Sequence, residues 1–100
     1  MKIITICGSL KFEADIKQYT ERLALEGNCV LSIIYPVKAK EEYTHEEIDL
    51  LHKEHFMKIQ LSDSIFVVNK HGYIGNAVKD EIAYAQKLNK EVLYLENIQS

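Results

Sequence analysis

Apolar residues arrive along this chain in two alternating rhythms, and the alternation predicts the architecture. Lys2 to Cys7 is β-branched and nearly all apolar, then ends at Gly8 and Ser9, the form of a buried parallel strand that stops at a turn. From Phe12 the apolar positions recur as Phe12, Ile16, Tyr19 and Leu23 with polar residues between them, a helical stripe that Gly27 terminates. Cys29 to Tyr35 is a second apolar, β-branched run, halted by Pro36, which cannot donate to a ladder. Because both cysteines fall inside such runs, they are expected to be small buried hydrophobes and not a disulfide.

After a charged connector from Lys38 to Tyr43, Thr44 and Glu47 form a capping-box signature. It precedes Ile48, Leu51, His55 and Ile59, which share one face of a helix predicted to run to about Ser62. Ser64 to Val68 is a third strand, and the segment His71 to Gly75 carries two glycines. Asn76 is placed to cap a third helix with Val78, Ile82, Ala85 and Leu88 inward, and Glu91 to Leu95 makes a fourth strand. The order β-α-β-α-β-α-β implies right-handed crossovers and a parallel sheet of about four strands flanked by helices. That is a small three-layer α/β domain of the flavodoxin-like or Rossmann-like kind. One hundred residues suffice for a single domain, 1–100, and no repeat, linker or low-complexity tract divides it.

Composition changes this picture only at its edges. With 47% hydrophobic and 27% charged residues the chain is an ordinary globular one. A formal charge of -3 leaves no basic stripe for neutralising phosphates, so no nucleic-acid partner is expected. The opening Met1 to Cys7 is too short for a signal peptide and no apolar run approaches membrane-spanning length, which predicts a cytoplasmic protein without a membrane partner. A domain this small buries only about 60–70% of its unfolded surface, so a homodimer is expected.

In an open parallel sheet, ligands bind beyond the carboxyl ends of the strands, where strand order reverses. This singles out Gly8 to Lys11, Pro36 to Tyr43 and Asn69 to Glu81. Gly8, Ser9 and Lys11 offer backbone N–H groups, a hydroxyl and an amine at a helix start, suited to a phosphate or sugar oxygen. The same turn also reads as a plain strand-to-helix junction with Ser9 as its cap. It lacks G-x-G-x-x-G and the Walker lysine spacing, so neither a dinucleotide-binding nor a P-loop protein is expected, and no cofactor is expected. Gly72, Tyr73 and Gly75 combine two permissive backbones with an aromatic, and lead into the helix that carries Glu81. Near that helix start the dipole favours the ionised carboxylate, the form needed to attack an electrophilic carbon. A favourable surface acid is the alternative, and Asp80 beside it is expected to face water.

These segments carry a resemblance. The strand ending Cys7-Gly8-Ser9, the strand Ser62-Asp63-Ser64-Ile65-Phe66-Val67-Val68, and Asp80-Glu81-Ile82-Ala83-Tyr84-Ala85 followed by Lys90-Glu91-Val92 resemble the nucleoside 2-deoxyribosyltransferase superfamily, which includes deoxynucleoside 5′-monophosphate N-glycosidases. The similarity spans nearly the whole chain through short motifs. It implies a nucleoside or nucleotide substrate, with Glu81 as the nucleophile that forms a glycosyl ester in the manner of retaining glycosidases. It further implies that Ser9 and Lys11 help hold a 5′-phosphate and that Asn69 lies near the sugar.

Two positions depart from the family pattern. The second functional carboxylate, carried on the second helix, falls here on His55, whose imidazole serves as acid or base, or else is a core histidine satisfied by one hydrogen bond. A tyrosine common on the first strand is missing, with Thr5 and Ile6 in its vicinity. A noncatalytic nucleotide-binding module of the same fold is therefore the competing expectation. His52, Glu54 and His55 lie near one another on a helix but match no metal motif, so no metal site is expected. Asp63, at the opposite end of its strand from the pocket, is read as structural.

Overall fold

The computed structural model describes residues 1–97. Its elements are β1 (Ile3–Gly8), α1 (Glu13–Leu25), β2 (Cys29–Leu31), α2 (His45–Leu61), β3 (Ser64–Val68), α3 (Asn76–Lys87) and β4 (Glu91–Tyr94). The strands form one four-stranded sheet in the order β2-β1-β3-β4, and every pairing is parallel. This is the expected three-layer α/β architecture.

Period-two alternation sorts the side chains between layers. Ile6 and Val68 face α1, where fully buried Ile16 meets them. Cys7, Ile65 and Val67 face the opposite way and pack with Ile59 of α2 and with Val78, Ile82 and Ala85 of α3. Each fully buried isoleucine contributes about 1.5–3 kcal/mol, so the two clusters hold helices on both faces of the sheet. The Thr44–Glu47 capping box forms as read: the Thr44 hydroxyl accepts from Glu47 N at 3.0 Å, and the Glu47 carboxylate accepts from Thr44 N at 2.9 Å.

β1 pairs with β2 only over Ile3 to Thr5, whereas β3 follows β1 from Ile4 to Gly8. The carboxyl half of β1 thus has a strand on one side alone. Strand order reverses on the other side of β1, between β1 and β3, and the carboxyl ends of those two strands are the place such a sheet offers to a ligand.

Three expectations need correction. The second strand ends at Leu31 and does not reach Tyr35, because the Ser32 carbonyl accepts from Lys58 Nζ at 2.7 Å instead of joining the ladder. Cys29 is exposed, as the first residue of an edge strand. Asn76 is the first residue of α3 and Gly75 its cap, with no side-chain capping bond.

Candidate functional site

Three elements deliver one side chain each to a single point at the carboxyl end of the sheet. Cys7 is the penultimate residue of β1 and, by alternation, faces the α2–α3 layer. His55 comes from the inward stripe of α2, and Glu81 from the second turn of α3 beside Ile82. His55 Nε2 lies 3.5 Å from Cys7 Sγ and 3.2 Å from Glu81 Oε1. The histidine and glutamate side chains are 13% and 16% exposed, while Cys7 is fully buried. The carboxylate expected at the rim is therefore held against the histidine and not turned out to solvent. Asp80 is exposed, as its neighbouring position on the helix requires.

Cys7 is the member that sequence reasoning missed, since it reads there as a small core hydrophobe. Burial pushes its thiol well above the ordinary range, and the negative charge of Glu81 and a hydrogen bond to that carboxylate push it further. The sulfur is thus a neutral thiol at physiological pH, inert as a nucleophile. The chemistry available is that of a carboxylate and an imidazole in contact, at a partly desolvated rim.

The loops around them divide. The Ser9 hydroxyl accepts from Lys11 N at 3.4 Å and caps a short 3-10 turn, Leu10–Phe12. Lys11 Nζ sits 3.2 Å from the centre of the Tyr73 ring, and Phe12 meets the same ring edge-on, so the first and third predicted loops close on each other. At Gly8 an added Cβ would lie 3.2 Å from both Ile16 and Val68, so any side chain there would press on these two neighbours. Gly72 occupies the left-handed region at φ +75°, directly after His71 at φ 58°. Gly75 does not: its φ of -74° suits any residue, although an added Cβ would meet the Tyr73 hydroxyl at 3.3 Å. Asn69 is buried, and its amide donates to Glu96 O at 2.9 Å and accepts from Glu96 N at 2.8 Å. Both ends of that amide are committed to bracing the turn after β4.

A cleft of about 60 Å³ opens beside the pair, lined by His52, His55, Phe56, Ala77, Asp80 and Glu81. It has room for ordered water or an ion, and is far smaller than the ~300–1,000 Å³ of organic-ligand pockets. A larger groove of about 260 Å³ lies along α1 between Tyr19, Arg22 and Phe66. It is lined by none of Cys7, His55 and Glu81, so its size does not make it the chemical centre. His52 lines the small cleft, whereas Glu54 turns to an ion pair with Lys58 at 2.8 Å.

Among the described residues no helix is long and apolar enough to cross a membrane. A scan against protein-family models gives no match for the chain, and a search of curated proteins gives none either.

Proposed function

We propose that the chain cleaves the N-glycosidic bond of a nucleoside or nucleotide, as an N-glycosidase or, with a second base as acceptor, a deoxyribosyltransferase. The observation that carries this reading is the Glu81 carboxylate, held 3.2 Å from His55 at the carboxyl edge of the sheet. Glu81 attacks the anomeric carbon as the C–N bond breaks, and the base departs with the bonding pair. His55, as acid, supplies the proton the base takes up. Water, deprotonated by His55, or an incoming base then attacks the glycosyl ester and frees Glu81, so that configuration at the anomeric carbon is retained.

Lys11 and Ser9 would take a 5′-phosphate. The small cleft between α2 and α3 does not admit a nucleoside, so the sugar enters by the Gly8–Ser9 bend, with Tyr73 parting from Lys11 as the phosphate draws the ammonium away. Gly72 and Gly75 let that loop swing, and Asn69 acts by bracing its base. The placement of an imidazole where the resemblance calls for a second carboxylate favours one other reading, a noncatalytic nucleotide-binding module. The active unit is proposed to be a cytoplasmic homodimer, and a monomer mass by light scattering would refute the dimer.

The test is a panel of nucleosides and 5′-monophosphates incubated with the protein in the presence of a chelator, with free base followed by chromatography. Base release that disappears in Glu81→Gln supports the mechanism, and release unchanged in that variant refutes it. Saturable binding with no release by the wild type identifies the module instead.

A further inference from the structure

Cys7, His55 and Glu81 also satisfy a different chemistry. Sγ, a ring nitrogen and a carboxylate oxygen all lie within 4.8 Å of one another, with separations of 3.5 Å for sulfur to nitrogen and 3.2 Å for nitrogen to oxygen. Ligands bound at ~2.0–2.3 Å to one tetrahedral zinc ion are separated from each other by about 3.3–3.8 Å. The side chains therefore stand near the spacing of zinc ligands before any ion arrives. They come from three separate elements, which is why no sequence spacing signals them.

We infer that Cys7, His55 and Glu81 form a zinc site with three protein ligands, its fourth position open toward the cleft beside Ala77 and Asp80. The donor set is one soft sulfur, one imidazole and one carboxylate, a combination that suits zinc over calcium or magnesium. Charge supports it as well. When the ion binds, the thiol proton leaves to solvent, and a thiolate, a carboxylate, a neutral imidazole and a dication sum to zero at a partly buried point. The cleft's small volume, unsuited to a nucleoside, is of the right order for an ion and its water.

The site also carries a regulatory consequence, which rests on Glu81 being the glycosidic nucleophile. A carboxylate oxygen bound to zinc is withdrawn from attack on carbon, so metal loading and base release exclude one another.

Cobalt(II), a spectroscopic stand-in for zinc, tests the site without reference to activity. Titrated into the full chain freed of metal, it is expected to bind one equivalent, with visible bands of four-coordinate geometry and a near-ultraviolet thiolate-to-cobalt charge-transfer band, and zinc is expected to displace it. Cys7→Ser should abolish the charge-transfer band. Glu81→Gln, which leaves the buried sulfur in place, should weaken binding by more than the about 10–100-fold that loss of a mere orienting partner costs. Thermal unfolding of each variant confirms that it is folded. Absence of the charge-transfer band in the wild type, or uptake unaltered by Glu81→Gln, overturns the site. Base release measured with chelator and with zinc separates the two ideas. A cobalt band without base release in chelator keeps the site and removes both the glycosidase reading and the inhibition. Base release without a cobalt band keeps the glycosidase reading and removes the site together with the inhibition. Base release undiminished at saturating zinc overturns the inhibition alone.

Discussion

The two ends of the sheet carry polar clusters of opposite character. At the amino edge, Asp63 Oδ2 accepts from Ile3 N at 2.8 Å, Asp63 N donates to Ile3 O, also at 2.8 Å, and Glu91 accepts from Lys2 and from Ser64 Oγ. Every one of those groups bonds to a neighbouring strand or its flank, so the cluster knits β1, β3 and β4 together. At the carboxyl edge, the three side chains of Cys7, His55 and Glu81 converge on one another from a strand and the two helices packed on it, and join no strand to its neighbour. Polar groups bonded across neighbouring strands specify a fold even at an exposed edge, whereas converging side chains left open to a cleft are available to something else. The amino edge is built for stability, and the carboxyl edge leaves its polar side chains free.

The sharpest way to break this contrast is Glu81→Gln. On the proposed mechanism, removing this carboxylate lowers base release at least about a thousandfold. Its effect on Tm should stay below the ~4–8 °C that 1 kcal/mol produces in a domain of this size. A variant that unfolds readily but retains activity would reverse the assignment.

The cysteines, one at each end, give the next largest effect. Cys29 is exposed at the start of the edge strand, while Cys7 is fully buried and its thiol is held protonated. With chelator present, a thiol reagent should label Cys29 promptly and Cys7 at least about a hundredfold more slowly, because Cys7 reacts only through opening of the fold. Peptide mapping by mass spectrometry distinguishes them. Equal rates would mean that the carboxyl edge is open to solvent as far as the sulfur.

Asp63→Ala then tests the knitted end. Without the carboxylate, the Ile3 N–H lacks its acceptor, which is expected to cost about 1–2 kcal/mol in denaturant unfolding. Base release per folded molecule should not change. An unchanged midpoint would show that water replaces the carboxylate and that the amino edge is less essential than its bonds suggest.

Much of this division was legible in the chain. The alternation of runs and stripes predicts every strand and helix of the sheet. The stripe of Ile48, His55 and Ile59 aims His55 inward, although Leu51, read on the same face, is exposed, and Val78, Ile82 and Ala85 place Glu81 at their edge. What escaped the reading depends on contacts distant in sequence. Cys7 joins His55 across 48 residues, so it reads as core until the helices are in place. The second strand stops at Leu31 because Lys58, on another element, takes the Ser32 carbonyl. Asn69 reads as a ligand-facing residue, but its amide is engaged by the Glu96 backbone, and no local pattern signals such a bond.

The smallest effect concerns pH at the amino edge. The hydrogen bond from Lys2, followed by that from Ser64, holds the Glu91 carboxyl below the ordinary range. The folded chain thus binds that proton less tightly than the unfolded chain. The resulting stabilisation is fully present above the unfolded value of about 4.3 and is lost as pH falls through the lower folded value. Both side chains are about half exposed, at 42% and 51%, so the contribution belongs in the ~0.2–1 kcal/mol range of exposed pairs. Unfolding of the wild type and Lys2→Met should therefore differ by that amount near about pH 7 and converge in strong acid, below the folded value. Glu47, also held low by its capping bonds to Thr44, titrates alike in both proteins and cancels. Salt at about 1 M should shrink the neutral-pH difference, since the Debye length there is ~3 Å. A difference that persists undiminished in acid would locate the effect of Lys2 in the packing of its methylenes along the sheet edge and not in its charge.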